Sequence, residues 1–434
     1  MLTSNSIAQT HIKLQIGHWI RTLSGLSGTV IYNFKTKRTF VFSTILWDCV
    51  IQYLPDYQES LFTRLCFAFP SASQERINWF LDTLIKVGVL VLETDFTIED
   101  KLEDKYPFAD EISCFPKFAS IEVSTRCNFR CLHCYLGVAR NNPIDMPRSI
   151  IDKLSFDLKN LGVENLQVTG GEPLLRSDSI DIIESLSSFF LVDLTTNGIC
   201  INDTIVDRLK CVNAIQISVY GFSEKSFASF IGSGGIGLKH LLDNILMVKS
   251  KGINLSLAYI VTNNNQYEIT DFVSFCIENE IEYKLGFSMP IGACCDNISL
   301  LAMNLERKRE IIRTYRGNLI NEPTLKKYCC NPNKISVMAD GRVLSCSMLR
   351  EREEYVFGNV YDEPIANIWG RGVRKFAQAT ALDQYSPCSN CELRYVCGGI
   401  CPALDRDKII GSSIESCRVY NEKDLLIFKA LKTN

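Results

Sequence analysis

The sequence predicts an α/β protein built as a partial (β/α)6 barrel, with a winged-helix-like domain before the barrel and a cysteine-rich extension after it. Three observations predict this. Six β-rich runs alternate with segments of helical periodicity between residues 118 and 289. Ahead of them a hairpin signal is followed by three helical segments and a short strand; behind them the alternation stops and eight cysteines accumulate from Cys329 onward. The corresponding boundaries are 1–105 for the first domain, 106–116 for a linker, 117–300 for the barrel and 301–434 for the extension.

In the first domain, residues 29–34 and 38–42 are β-rich runs separated by Lys35-Thr36-Lys37, a hairpin pattern. Ser43 or Thr44 can cap a helix through Ile45, Leu46, Cys49, Val50 and Tyr53, and Pro55 ends it. A helix over 59–67 follows, then one from near Ser73 with Ile77, Phe80, Leu81, Leu84 and Ile85 on one face; Gly88 closes it before a strand at 89–92. The acidic, proline-containing stretch 99–111 reads as linker. In the barrel, strands are expected at 118–123, 165–168, 191–195, 214–219, 254–261 and 283–287, with helices at 149–161, 179–189, 203–209, 238–251 and 267–280. Such serial units imply a parallel sheet with right-handed crossovers and functional groups at the C-terminal ends of its strands. Beyond Met289 the regular elements look too few for a large apolar core, so metal ligation would supply order.

With 46% apolar and 22% charged residues in 434, and a net charge of -3, nothing electrostatic favours nucleic acid or a membrane surface as the main partner. No basic start with an apolar run opens the chain and no apolar run spans a bilayer, so the expected location is cytoplasmic. In that reducing setting 19 cysteines point to metal rather than disulfides, and with only four histidines the thiolate-rich clusters suit iron–sulfur centres or all-cysteine zinc.

Cys127, Cys131 and Cys134 form a C-x3-C-x2-C triplet just after the first barrel strand. Three cysteines can ligate three irons of a four-iron cluster and leave the fourth open to a chelator, whereas a fourth cysteine would close the site. This spacing resembles the radical S-adenosylmethionine (SAM) superfamily, with His133 at the place of the family's aromatic residue. The resemblance implies that the three cysteines hold a 4Fe–4S cluster whose open iron binds the amine and carboxylate of SAM, and that electron transfer cleaves SAM to a 5′-deoxyadenosyl radical. It also implies SAM contacts at His133, at the Gly170-Gly171-Glu172 turn, whose glycines permit close approach and whose carboxylate can receive an ammonium group, and at Asn197 and Ser218 after the third and fourth strands.

The C-terminal pattern is Cys330-x10-Gly341-x4-Cys346, then Cys388-x2-Cys391-x5-Cys397-x3-Cys401 and, fifteen residues on, Cys417. Seven thiols need two centres. With Phe357-Gly358-Asn359-Val360 and Ile368-Trp369 between its halves, this resembles the SPASM extension of peptide-modifying radical SAM enzymes. The resemblance implies an auxiliary cluster I on Cys330, Cys346 and Cys401 and a cluster II on Cys388, Cys391, Cys397 and Cys417, hence three 4Fe–4S clusters in all. A zinc ribbon at Cys388 and Cys391 would leave Cys330 and Cys346 unexplained. Whether cluster I takes a fourth ligand from Cys294, Cys295 or Cys329 stays open. Cys49, Cys66, Cys200, Cys211 and Cys276 lie in apolar contexts and are expected to be free thiols.

The N-terminal pattern resembles the PqqD-like recognition element that binds the leader of a ribosomally made precursor peptide as an added strand. A DNA-binding winged helix would want a basic recognition helix, and 77–86 holds one basic residue. Together these parts imply a maturase that crosslinks a precursor peptide, with a cyclophane-type carbon–carbon bond favoured over ether or thioether, supplied with electrons by a flavodoxin or ferredoxin. Epimerisation, decarboxylation, excision, a sulfatase-maturing activity, or an iron–sulfur DNA-binding regulator are the alternatives. Asp296 and Tyr220 are the acid–base candidates.

Overall fold

The computed structural model describes most of residues 13–92 and residues 116–232, 237–315, 328–385, 388–390 and 398–404. The hairpin turn at 35–37, the stretch 99–111, and Cys391, Cys397 and Cys417 lie outside the described residues. The chain divides into two compact units, one holding the N-terminal elements and the other the described residues from Pro116 onward.

The N-terminal unit contains β1 (Lys13–Ile16), β2 (Ile20–Gly25), β3 (Gly28–Asn33), β4 (Arg38–Phe42), α1 (Thr44–Gln52), β5 (Asp56–Tyr57), α2 (Gln58–Ala68), α3 (Gln74–Lys86) and β6 (Leu90–Leu92). Strands β2, β3 and β4 form an antiparallel meander, and β1 sits between β5 and β6, antiparallel to both. Ile77, Phe80, Leu81 and Leu84 of α3 are buried against Trp47, Val50, Leu61 and Leu65. The expected hairpin, three helices and closing strand are all there. Strands β1 and β5, of four and two residues, are too short for alternation to reveal.

The larger unit runs β7 (Phe118–Glu122), α4 (Arg148–Asn160), β8 (Asn165–Thr169), α5 (Ser179–Ser187), β9 (Leu191–Thr196), α6 (Asp203–Val206), β10 (Ala214–Val219), α7 (Glu224–Ile231), α8 (Leu238–Ser250), β11 (Leu255–Val261), α9 (Ile269–Glu278), β12 (Glu282–Phe287), α10 (Ala293–Asp296), α11 (Ile298–Leu301) and α12 (Leu305–Thr314). It continues with β13 (Lys334–Val337), β14 (Arg342–Leu344), β15 (Gly358–Asn359) and α13 (Ile365–Thr380). Strands β7 to β12 lie side by side in chain order and all pair in parallel, the partial barrel expected from the sequence. Helix α7 was not among the expected helices. Its signal is nonetheless local: Ser223 and Ser226 form a capping box, and Phe227, Phe230 and Ile231 fall on one buried face.

The region after Met289 departs from expectation. Strand β13 pairs in parallel with β7 and extends the barrel sheet by a hairpin, β14, and then β15. The buried Ser120 hydroxyl donates to the Ser336 hydroxyl at 2.8 Å across that pairing. Ile365, Ile368, Trp369 and Val373 of α13 join the same apolar core as the barrel strands. The extension therefore shares the barrel's core, because four apolar residues on one face of α13 find a partner surface that composition alone does not reveal. Among the described residues no helix is long and apolar enough to cross a membrane.

Candidate active site and metal centres

Strand β7 delivers the chain into the cysteine loop through a closed neck. Met146 N–H donates to the Val123 carbonyl, Thr125 N–H to the Ile144 carbonyl, the Ser124 hydroxyl donates to Asp145 Oδ1 at 2.6 Å, and Arg126 pairs with Asp145 at 3.0 Å. Inside the neck, Arg130 and Leu132 N–H groups donate to the carbonyls of Ile231 and Phe230 at the end of α7. Ala293 N–H, opening α10, donates to the Cys134 carbonyl at 2.9 Å. The loop is thus pinned at three places before any metal binds.

Within it Cys131 is buried and Cys127 and Cys134 are half-buried. Burial pushes the Cys127 thiol up to about 11, and the Phe129 N–H aimed at its sulfur at 3.4 Å works the other way. Such thiols become thiolates when a cation compensates them. His133 Nδ1 is buried without a hydrogen-bond partner, and burial pushes this ring down to about 4, so it stands neutral at pH 7. Three thiols on one loop beside an unpartnered ring nitrogen fit a cluster that these cysteines would hold through three irons, the fourth left open.

The Gly170-Gly171-Glu172 turn packs directly on this loop's entry. A Cβ on Gly170 would lie 2.3 Å from the Ser124 carbonyl oxygen and one on Gly171 would lie 2.1 Å from that of Arg126. The close approach these glycines permit is to the backbone leading into Cys127, where Gly171 and Glu172 N–H groups donate to the Ser124 and Arg126 carbonyls at 2.8 and 2.7 Å. Glu172 is fully buried, and its carboxylate accepts from Leu174 N–H, Thr196 Oγ1 and Asn197 N–H at 2.7–3.0 Å. Burial raises its pKa and these three donors oppose that rise. Asn197 Nδ2 in turn donates to Asn128 Oδ1 at 2.7 Å. The ends of β7, β8 and β9 and the cysteine loop therefore form one hydrogen-bonded unit.

Ser218 lies on β10, half-buried, and its side chain bonds the Tyr220 hydroxyl. Tyr220 stacks on Phe230 at 5.3 Å and meets His133 at 5.0 Å and Phe129 at 6.5 Å, an aromatic wall behind the cysteines. Burial holds its hydroxyl protonated, well above the usual tyrosine value, which suits a donor better than a base. Asp296 is exposed at the end of α10. Cys200, just past Asn197, is half-buried close enough to Glu172 and Cys127 to feel both charges, and burial pushes it up to about 11.

Among the C-terminal thiols, Cys330 hydrogen-bonds Cys346, with Cys401 and Cys329 nearby. That bond holds Cys346 low and Cys330 high, so Cys346 is the readier thiolate. Cys294 is instead near Ser288 and Cys295. No three described His, Cys, Asp or Glu side chains converge tightly enough for a single ion. A multi-iron cluster holds its ligands farther apart than a single ion does. Cys388 is described and half-buried. Sequence reasoning missed Glu122, Tyr135 and Arg350, whose contacts cross 228 residues of chain and leave no local signal.

Comparison with known families matches residues 121–276 to the radical SAM superfamily and residues 329–392 to SPASM, an iron–sulfur cluster-binding domain. The chain is 28% identical over 262 residues to a GTP 3',8-cyclase of Peptoclostridium acidaminophilum, covering 53% of this chain and 79% of that one. A GTP 3',8-cyclase of Limosilactobacillus fermentum is 25% identical, covering 55% and 81%. In fold, it is similar to Streptococcus suis SuiB bound to precursor peptide SuiA, with a TM-score of 0.56, 18% identity, and 93% and 98% of the two chains covered. Native anSMEcpe with bound AdoMet aligns with a TM-score of 0.50 and 14% identity over 72% and 99%.

Proposed function

We propose that this chain, a radical SAM enzyme with a SPASM domain, crosslinks a ribosomally made precursor peptide, with a cyclophane-type bond from an aromatic ring to a side-chain carbon as the favoured product. The observation that carries the reading is the extent of the fold likeness to SuiB. A likeness that spans 93% of the chain supports a counterpart of the N-terminal unit in SuiB. The cyclase relatives match about half of this chain.

In this reading Cys127, Cys131 and Cys134 hold the SAM-binding cluster. Cys330, Cys346 and Cys401 hold auxiliary cluster I, and Cys388, Cys391, Cys397 and Cys417 hold auxiliary cluster II, three clusters in all. When bound, these groups and SAM supply a 5′-deoxyadenosyl radical and a sink for the electron released as a crosslink closes. The chain's own residues do the rest. His133 and the Tyr220–Phe230 wall shape an apolar surface for the cofactor's ring, while the Gly170–Glu172 turn, Asn197 and Ser218 hold its polar end, Glu172 acting through the turn it organises. The N-terminal unit captures the leader by adding it to a sheet edge, giving affinity through backbone bonds and specificity through side-chain pockets. A flavodoxin or ferredoxin supplies the electrons, in the cytoplasm.

The test is reaction of the reduced protein and SAM with the peptide encoded beside its gene, a leader followed by a Trp-, Phe- or Cys-containing core. A product lighter by two hydrogens, lost when the leader is deleted, is the expected result. Turnover of GTP with the peptide left unchanged would overturn the reading.

A further inference from the structure

The end of β7 carries a buried ion pair that neither metal-binding motif includes. Glu122 and Arg350 are 1% and 4% exposed at their side chains, and Arg350 Nη2 donates to Glu122 Oε2 at 2.5 Å. Glu122 stands five residues before Cys127. Arg350 stands four after Cys346, at the end of a tight turn in which Leu349 N–H donates to the Cys346 carbonyl and Arg350 N–H to that of Ser347. Arg342 Nη1 donates to the Arg350 carbonyl at 2.9 Å, a further tie on the backbone of this turn.

The same carboxylate reaches the other end of the cysteine loop. Tyr135, next to Cys134, is half-buried; its hydroxyl donates to Glu122 Oε2 at 3.3 Å and to the Gly170 carbonyl at 3.4 Å, and the Arg350 guanidinium lies 5.6 Å from its ring centre. Ala339 N–H, in the β13–β14 turn, donates to Glu122 Oε1. The contact continues past the loop: a Cβ on Gly137 would lie 2.7 Å from Glu351 Oε1. Arg350 Nε is left without a partner in this enclosure, and Met338 sulfur accepts from Nη2 at 3.5 Å. Such an arrangement is a costly way to fill space, since apolar residues of the same size would serve packing at least as well. What a paired charge adds is a fixed direction.

We infer that Arg350, through Glu122 and Tyr135, is a positioning residue that locks the turn after Cys346 to the Cys134 side of the SAM-cluster loop and the Gly170 turn, so that the auxiliary region sets the geometry in which SAM is held. This rests on reading Cys127, Cys131 and Cys134 as cluster ligands. Arg350 touches no reacting atom and acts only through its neighbours, as outer partners of metal ligands do.

The test uses the full chain, loaded with iron and sulfide anaerobically and reduced, comparing wild type with Arg350→Met, Arg350→Lys and the double variant Glu122→Leu/Arg350→Met. The readouts are iron content and the change in the cluster's electron paramagnetic resonance on titration with SAM. With iron content unchanged, Arg350→Met is expected to weaken the SAM-induced change, with affinity lower by roughly ten- to a hundredfold, and Arg350→Lys to recover part of it. Should Arg350→Met fail to fold, the double variant restores an uncharged core and is expected to load iron but still bind SAM weakly. A SAM response equal to wild type in either folded variant overturns the inference and leaves the pair as packing. Wild type that shows no SAM response at all defeats the cluster reading instead.

Discussion

The loop of Cys127, Cys131 and Cys134 and the region of Cys330, Cys346 and Cys401 are built by opposite means. The first is one short segment, closed at its neck by Thr125, Asp145 and Met146 and pinned to α7 and α10. Its cysteines are neighbours in sequence, and its geometry is held by backbone hydrogen bonds. The second draws thiols from segments up to about seventy residues apart, gathered around a small core in which Leu344 of β14, Phe376 of α13 and the turn residues Met338 and Leu349 pack against Cys330 and Cys346. Local closure therefore suits a site that must keep one position open, and long-range packing suits one that fastens distant parts of a chain together.

The two regions should differ most sharply when a cysteine is removed. Cys131→Ala is expected to reduce SAM cleavage by at least about a hundredfold while leaving the C-terminal iron in place; Cys346→Ala should lose part of that iron and peptide product yet still yield 5′-deoxyadenosine. Iron analysis and chromatography of the nucleoside separate the two, and equal loss of cleavage in both would erase the distinction. Next comes the backbone. Gly171→Ala puts a methyl against the Arg126 carbonyl, where neither side is a flexible side-chain end, and should cost about 3 kcal/mol or more in a denaturant titration.

A smaller effect appears in acid. His133 has its folded pKa lowered to about 4 by burial, against about 6.5 unfolded. The folded state therefore binds fewer protons, and the contribution is present above pH 6.5 and lost as pH falls towards 4. About 2–3 kcal/mol of stability should disappear across that window and His133→Phe should flatten it, as read from melting curves at stepped pH. The smallest effect belongs to the other region. Gly370 is exposed on α13 with open space around it, so Gly370→Ala should stabilise by about 0.5–1 kcal/mol.

The barrel and the cysteine loop were legible because both are written locally. Strands such as Leu255–Val261 are near-continuous apolar runs, as parallel strands buried on both faces must be, and the three cysteines of the loop sit within eight residues of each other. The close approach of Gly170 and Gly171 was legible too, but its partner was not, since only the fold brings 124–126 against 170–172. The extension hid more. Strand β13 has four residues and takes its place by pairing with β7, over 200 positions earlier. The Glu122–Arg350 pair has no spacing, period or composition to announce it, as a lone glutamate and a lone arginine are ordinary surface residues until burial makes them a pair.

The central claim is that the pinned loop is a radical source serving peptide modification. It is tested most directly by quantifying 5′-deoxyadenosine from reduced protein, SAM and the precursor peptide under exclusion of oxygen. The account predicts that the nucleoside accumulates together with peptide lighter by two hydrogens, and that neither forms with Cys131→Ala. Sequence-specific DNA binding by a protein that releases no 5′-deoxyadenosine would contradict it.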